Sequence, residues 1–258
     1  MQNGELVRVG ALADLHYTKA SQGVLQPLFE QAGRLADVLL VGGDLTDFGH
    51  VEEAQVLARD LKTAVKIPVV AVLGNHDFED GKANEVADVL GEAGVTVLDG
   101  DACEVRGVGI GGTKGFPGGF GRGTLEAWGE VEVKRFVKAA VDEALKLERA
   151  LTRLRTRSKI ALIHYAPIRA TVEPEPPEIW AFLGCGRLEE PINRYGVTVA
   201  VHGHAHRGSP EGRTTTGIPV YNVALPLLRR TLPDAPPLRI LELPVGEATP
   251  AVPQPATA

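Results

Sequence analysis

Short apolar runs, each followed at once by glycine or polar residues, recur along the chain. The clearest is the stretch 69–77, in which five apolar residues precede Gly74, Asn75, His76 and Asp77. An apolar run of this length, bounded by a turn signal, is typical of a strand buried on both faces of an α/β sheet. In such sheets, sites form outside the carboxyl ends of the strands. The pattern therefore predicts that Asn75, His76 and Asp77 lie at a functional site.

The same arrangement occurs four more times, after predicted strands at 6–12, 38–41, 160–163 and 197–201. Each of these runs ends in side chains that can hold a metal ion. Those side chains belong to Asp14, His16, Asp44, His164, His204 and His206. His202 alternates with His204 and could be another ligand, but we favour a supporting or structural role for it.

Helical spacing of apolar residues separates the first strands, at 24–35 and 51–65. Alternation of strands and helices predicts a parallel sheet with right-handed crossovers. Further helices are predicted at 83–93, 125–154 and 187–195. Short strands at 95–98, 102–106, 108–110, 220–223 and 238–243 predict a second, more antiparallel sheet packed on the first.

Length and composition favour one globular domain over residues 1–245. Hydrophobic residues make up 44% of the 258 residues and charged residues 23%, which is ordinary for a globular protein. Residues 246–258 are rich in Pro, Ala and Thr and are predicted to be disordered. Residues 111–123 hold seven glycines and predict a mobile loop that serves as a lid or rim, with Arg122 a candidate substrate contact.

Charge and cysteine content limit the partners. A net charge of −6 argues against an extended nucleic-acid surface, and we assign the arginines near residue 155 to the negative end of a helix dipole. The apolar runs are too short to span a bilayer, and the N-terminus does not resemble a signal peptide. Two cysteines, Cys103 and Cys185, form no disulfide framework or zinc motif. We expect a cytoplasmic protein that does not bind membranes; its oligomeric state stays open.

The candidate ligands offer nitrogen and oxygen atoms without thiolate, which suits Mn, Fe, Zn or Co. Seven candidates give two ions four protein ligands each only if one ligand is shared, and Asp44 is the carboxylate with no histidine beside it. Two divalent ions can activate a bridging hydroxide for in-line attack on a phosphoester. His76 is the candidate general acid, and Asp77 could fix its tautomer.

The ordered motifs resemble those of the calcineurin-like metallophosphoesterase superfamily. They are Asp-x-His at 14–16, Gly-Asp-Leu-Thr-Asp at 43–47, Gly-Asn-His-Asp at 74–77, the strand-end His164, and Gly-His-x-His at 203–206. The resemblance implies a four-layer αββα sandwich with two mixed sheets and a two-metal site at its edge. It further implies one metal on Asp14, His16 and His206, the other on Asn75, His164 and His204, with Asp44 as the bridge and His76 as the catalytic histidine.

Departures from the family's subgroups narrow the expectation. Ser/Thr protein phosphatases carry Asp-Arg-Gly after the second motif, where this chain has Asp47-Phe48-Gly49. The motif forms are more similar to those of the small bacterial phosphodiesterases, including the cyclic-nucleotide type, and we expect a small phosphoester as substrate. A phosphomonoesterase and a non-catalytic scaffold on the same fold remain alternatives. Asp47 is expected to cap a helix, and Trp180 and Phe182 are expected to be core residues rather than base-stacking platforms.

Overall fold

Two β-sheets lie face to face at the centre of the structure, and helices cover their outer faces. The computed structural model describes residues 5–246. The described residues form these strands: β1 (Leu6–Leu12), β2 (Val38–Gly42), β3 (Val69–Val72), β4 (Val95–Val97), β5 (Asp101–Val105), β6 (Val108–Thr113), β7 (Ser158–Ile163), β8 (Val199–His202), β9 (Glu211–Arg213), β10 (Pro219–Asn222) and β11 (Arg239–Pro244). The α-helices are α1 (Gln26–Leu35), α2 (Val51–Ala64), α3 (Ala83–Glu92), α4 (Val131–Thr152), α5 (Trp180–Leu183), α6 (Glu189–Arg194) and α7 (Leu225–Thr231).

The first sheet has the order β11-β1-β2-β3-β4. Its four consecutive strands β1 to β4 pair in parallel, and β11 adds an antiparallel edge to β1. Every residue of β2 and β3 is buried, which explains why these strands are apolar throughout. The helices α1, α2 and α3 connect these strands, as the alternation of elements predicts.

The second sheet has the order β5-β6-β7-β8-β10-β9. Its central pairings are parallel, while β5 and β9 pair antiparallel at the two edges. The sheet is therefore mixed rather than mainly antiparallel. Strands β6 and β7 face β2 and β3 of the first sheet, and α4 packs on the other side of β6. The α/β fold with two mixed sheets flanked by helices is confirmed.

Two short strands belong to the other sheet from the one predicted. Strand β4 extends the first sheet because it follows α3 and pairs in parallel with β3. Strand β11 also joins the first sheet, antiparallel to β1, rather than completing the second. An alternation of apolar and polar residues over three to six positions predicts a strand but not the sheet that the strand joins. The sheet to which β4 and β11 belong could therefore not be predicted from their sequences.

Helix α4 begins at Val131, six residues later than predicted, because Gly129 adopts a φ of +70° just before it. Residues 111–113 of the predicted loop are the end of β6, where pairing with β5 and β7 continues. The following segment is packed rather than open, since Gly118 and Gly119 donate backbone hydrogen bonds to Gly184. The predicted disordered tail, 246–258, lies outside the described residues except for Gly246.

Candidate metal centre

The carboxyl ends of five parallel strands meet at one edge of the two sheets. Strands β1, β2 and β3 of the first sheet and β7 and β8 of the second all end there. The polar residues that follow them are brought together in space, as predicted. They are Asp14, His16, Asp44, Asn75, His76, His164, His204 and His206.

The first group of donor atoms consists of Asp14, His16 and His206. One ligand atom from each lies within 4.8 Å of the others. His206 Nε2 is 3.0 Å from Asp14 Oδ1, and the His16 and His206 rings meet edge-on with centroids 5.4 Å apart. This group matches the set that the resemblance implied for one metal.

The second group consists of Asp44, His164 and His204, whose ligand atoms also lie within 4.8 Å of one another. His164 Nε2 is 3.3 Å from Asp44 Oδ1 and 3.0 Å from Asn75 Oδ1. Asn75 therefore adds a fourth donor to this group. The rings of His164 and His204 are 4.9 Å apart between centroids.

Asp44 stands between the two groups. Its Oδ1 faces His164 in the second group, and its Oδ2 is 3.8 Å from Nε2 of His16 in the first. A carboxylate with one oxygen turned to each group can bridge two cations. Asp44 is 1% exposed, so this arrangement is shielded from bulk water.

A metal site requires donor atoms that the protein leaves unpaired. Among the described residues, His16 Nε2 is the one buried side-chain nitrogen or oxygen without a hydrogen-bond partner, and it points towards Asp44 and the first group. Such a buried unpaired nitrogen is costly unless something else binds it. Together with a donor set of carboxylate, imidazole and amide groups, it fits a divalent transition metal.

Hydrogen bonds on the far side of the histidine rings orient them. His164 Nδ1 is 2.9 Å from the carbonyl oxygen of Gly42, so its Nε2 is directed to the centre. His16 Nδ1 is 3.1 Å from Asp47 Oδ1. His204 bonds through Nε2 to the carbonyl oxygen of Phe182 at 3.2 Å, which leaves Nδ1 for a metal. Such partners fix the tautomer of metal-binding histidines.

The backbone at the centre is strained. Among the described residues, five that are not glycine have positive φ, and four of them are donors: Asp14, His16, Asp44 and His204, with φ between 46° and 68°. Such conformations are uncommon for residues other than glycine, although Asp and His adopt them more readily than most, and they concentrate at functional sites. These four positions lie two to four residues after the ends of β1, β2 and β8, so the chain turns sharply where the donors stand.

Two motif glycines are required by close approach. A Cβ on Gly74 would overlap Oδ1 and the backbone nitrogen of Asp44, and one on Gly203 would overlap Oδ2 of Asp14. No larger residue fits these positions without displacing a carboxylate of the centre. The glycines of Gly-Asn-His-Asp and Gly-His-x-His thus make room for donors contributed by other motifs.

The charges of the centre shift its pKa values. Burial opposes ionisation of Asp44, but the charge and hydrogen bond of His164 prevail and hold the pKa of Asp44 well below its usual range. Burial likewise opposes the charged form of His164, and Asp44 raises the pKa of His164 to about 9. Burial and the His164 charge lower the pKa of His204 to about 4. The opposite shifts of Asp44 and His164 share one cause, the attraction between the carboxylate and the charged imidazole across 3.3 Å.

His76 lies beside the centre with its ring half-exposed. Its backbone N–H donates to Asp44 Oδ1 at 3.0 Å, which ties it to the bridging carboxylate. Its Nδ1 is 2.6 Å from the carbonyl oxygen of Asp47, and its ring meets that of His16 at 4.6 Å between centroids. Because Nδ1 donates to this carbonyl, Nε2 is available to exchange a proton with a substrate.

Asp77 does not orient the His76 ring, so the prediction of that role is wrong. Its Oδ2 accepts the backbone N–H groups of Leu45 and Gly74, and its Oδ1 accepts the N–H and hydroxyl of Thr46. The carboxylate is fully buried and binds the loop after β2 to the loop after β3. The carbonyl of Asp47 takes the place predicted for Asp77.

Asp47 supports the centre and does not cap α2, contrary to expectation. The residue before α2 is His50, and Glu53 accepts the backbone N–H groups of Phe48 and His50 at that end of the helix. Asp47 instead contacts His16 through its carboxylate and His76 through its carbonyl. The sequence could have predicted this role, because Asp47 lies only three residues after the donor Asp44 and in the same loop after β2.

The structure also places four residues for which the sequence predicted a lesser role: His202, Trp180, Phe182 and Arg122. His202 is fully buried and hydrogen-bonds through Nε2 to the Thr171 hydroxyl and through Nδ1 to the carbonyl of Gly203, so its role is structural, as favoured. Trp180 is half-buried, but Phe182 is 58% exposed and is not a core residue. Arg122 is exposed.

The family is decided by comparison with known proteins. The model of the calcineurin-like phosphoesterase family matches residues 7–208, most of the chain. The chain belongs to this family. The resemblance of its motifs is thereby confirmed, and the protein is a metal-dependent phosphoric ester hydrolase whose family implies a dinuclear divalent metal site.

Solved structures of similar fold include the phosphopantetheinyl hydrolase of Mycobacterium tuberculosis, which is 17% identical with a TM-score of 0.65 over 97% of each chain. A putative 5'-nucleotidase from Staphylococcus aureus is 16% identical with a TM-score of 0.52, over 84% of this chain and 48% of its own. At these identities the likeness concerns the fold. No curated protein matches the chain significantly. Within residues 5–246, no helix is long and apolar enough to cross a membrane.

Proposed function

We propose that this calcineurin-like phosphoesterase hydrolyses small phosphodiesters with two divalent ions, Mn, Fe or Zn. The observation that carries the proposal is the placement of Asp44, with one carboxylate oxygen turned to each donor group. Asp14, His16 and His206 would hold one ion, and Asn75, His164 and His204 the other. The two metal ions would stabilise the charge on the phosphoryl oxygens and activate the attacking water.

The chain's own residues supply the remaining chemistry. With Nδ1 donating to the Asp47 carbonyl, His76 would deliver the proton on Nε2 to the leaving-group oxygen. Asp47 and Gly42 hold His16 and His164 in the orientation that directs Nε2 inwards. The intact set of donors and His76 argues for catalysis rather than for a scaffold role.

A comparison of two chromogenic substrates tests the proposal. Protein loaded with Mn²⁺ is expected to hydrolyse bis(p-nitrophenyl) phosphate, a diester, and to lose this activity in EDTA. Hydrolysis of p-nitrophenyl phosphate alone would identify a monoesterase. Hydrolysis of neither, together with far fewer than two ions per chain, would favour the scaffold alternative.

A wider panel then addresses the natural substrate. The diester arm uses cyclic mononucleotides, dinucleotides and phospholipid-derived diesters, because the motifs are similar to those of small bacterial phosphodiesterases. The names of the structural neighbours suggest two further arms, a phosphopantetheinyl ester and a nucleoside 5'-monophosphate. If kcat/KM for the nucleoside 5'-monophosphate exceeded that for every diester by more than tenfold, the proposed substrate would be a monoester rather than a diester.

A further inference from the structure

A cleft of about 340 Å³ opens directly beside the first donor group. Asp14 and His16 line it, and so does Arg229 of α7. The volume is within the range of small-molecule sites. The cleft is therefore large enough to hold an organic group attached to a phosphate at the centre.

About half of the wall of this cleft is apolar, and polar groups that include Ser21 and Arg229 form the rest. Leu15, Leu25 and Leu225 line it while remaining largely buried, at 7%, 6% and 3% exposure, and Val24 and Pro226 complete the apolar surface. Val24, at 64% exposure, offers apolar surface from which a hydrocarbon chain can displace water, and each leucine adds a few per cent of its own surface.

The position of α7 relative to the centre is fixed by backbone hydrogen bonds. Leu225 donates to the carbonyl of Ala13, and Ala13 donates to the carbonyl of Val223, each at 2.9 Å. Ala13 immediately precedes Asp14, so the start of α7 is tied to a donor of the first group. Leu225 and Arg229 are four residues apart and lie on the same helix face, which places both on the cleft.

Arg229 is an exposed cation on the wall of this cleft. Within residues 5–246, no ion pair or side-chain hydrogen bond involves its guanidinium, whereas the neighbouring Arg230 donates to the carbonyl of His206. An arginine next to an apolar wall is suited to a ligand that is mainly hydrocarbon and carries an anionic group.

We infer that this cleft binds one of the two organic groups of the phosphodiester substrate, and that this group is an apolar chain ending in an anion such as a carboxylate or a second phosphate. The inference rests on the proposed function, because the phosphoryl group must sit at the centre for its substituent to enter the cleft. It adds a substrate class to the proposal and assigns Arg229 as a specificity residue.

Binding of non-hydrolysable phosphonates tests the inference without turnover. The probes are methylphosphonate, hexylphosphonate and 6-phosphonohexanoate, titrated calorimetrically into Mn-loaded protein. Hexylphosphonate is expected to bind up to about tenfold more tightly than methylphosphonate, because its chain is buried against the apolar part of the wall. The terminal carboxylate is expected to add at least a further threefold.

Two variants in the cleft locate the effect, and a third on α2 serves as the control. Arg229→Met is expected to abolish the gain from the carboxylate and to weaken methylphosphonate and hexylphosphonate much less. Arg59→Met, which removes an exposed arginine from α2, is expected to leave all three affinities unchanged. Val24→Glu places a negative charge on the apolar wall at a 64% exposed position and is expected to weaken 6-phosphonohexanoate the most.

The outcomes separate the two proposals. If methylphosphonate binds and diesters are hydrolysed, but chain length and carboxylate have no effect, the cleft inference is overturned and the proposed function stands. Retention of the carboxylate gain in Arg229→Met would overturn the role of that residue. If no phosphonate binds and no ester is hydrolysed, the proposed function itself has failed.

Discussion

The backbone N–H of His204 lies 3.0 Å from both carboxylate oxygens of Asp14, a residue 190 positions earlier in the chain. This contact joins the end of β8 in the second sheet to the end of β1 in the first. It requires a glycine at position 203 and positive φ at both Asp14 and His204. The first and last motifs therefore form one centre, and both sheets are needed to build it.

Replacement of His76 tests the general-acid role. His76→Gln is expected to lower kcat by roughly 10²- to 10⁴-fold for an alkyl leaving group, because such an alkoxide needs a proton. The loss should be much smaller for p-nitrophenolate, which leaves without one. Steady-state kinetics with both substrates and metal analysis check this, since two ions should remain bound. Equal losses for the two leaving groups would contradict the role.

Replacement of Asp47 tests the support of His16. Asp47→Ala removes the acceptor of the Nδ1–H of His16 and is expected to weaken metal binding by about 10- to 100-fold. Asp47→Asn keeps an oxygen acceptor and should recover most of the affinity, as measured by competition with a chelator. The contact with His76 uses the backbone carbonyl, so the dependence on the leaving group should survive in both variants. If Asp47→Asn bound metal as weakly as Asp47→Ala, the charge of Asp47, rather than its orientation of the His16 ring, would be what supports the metal.

Asp77 is expected to matter for stability before chemistry. Asp77→Ala leaves the buried N–H groups of Leu45, Thr46 and Gly74 without acceptors, at ~1–3 kcal/mol each. Urea unfolding should show a loss of at least ~3 kcal/mol. The matched control, Asp142→Ala, removes an exposed carboxylate from α4 and should cost about 0–1 kcal/mol. Similar losses in the two variants would contradict the structural role of Asp77.

The buried His202 predicts a dependence of stability on pH. Burial lowers the pKa of His202 from its ordinary 6.5 to about 4. Between these values the unfolded chain binds a proton that the folded chain does not, so stability falls as the pH falls, by up to ~1.4 kcal/mol per pH unit. Urea unfolding of metal-free protein at several pH values across this window should give a shallower slope for His202→Gln. Identical slopes would show that folding leaves the pKa of His202 unchanged and would contradict the prediction.

The location of the centre could be predicted from the sequence because it depends on local pattern. An apolar run that ends in glycine and polar residues marks the carboxyl end of a buried strand, and parallel pairing brings such ends to one edge. This pattern alone predicts that the donors Asp14, Asp44, Asn75, His164 and His204 lie together. Strands β2 and β3, buried throughout, carried the strongest signal.

The remaining features depend on contacts between distant segments. The partners of β4 and β11 are decided by which sheet edge lies near, and the three to six residues of each strand do not encode it. Asp77 adjoins His76 in sequence, but its carboxylate is captured by four donors from two loops. The sequence of α7 contains no motif that predicts the cleft beside it, since leucines and an arginine are common on any helix.

The central claim is that two ions bind in one pocket on either side of Asp44. It is tested most directly by X-ray diffraction from crystals grown with Mn²⁺, with anomalous data collected at the manganese edge. We expect two peaks about 3.5–4 Å apart, one between Asp14, His16 and His206 and the other between Asn75, His164 and His204. A single peak, or peaks that do not share the Asp44 carboxylate, would contradict the account.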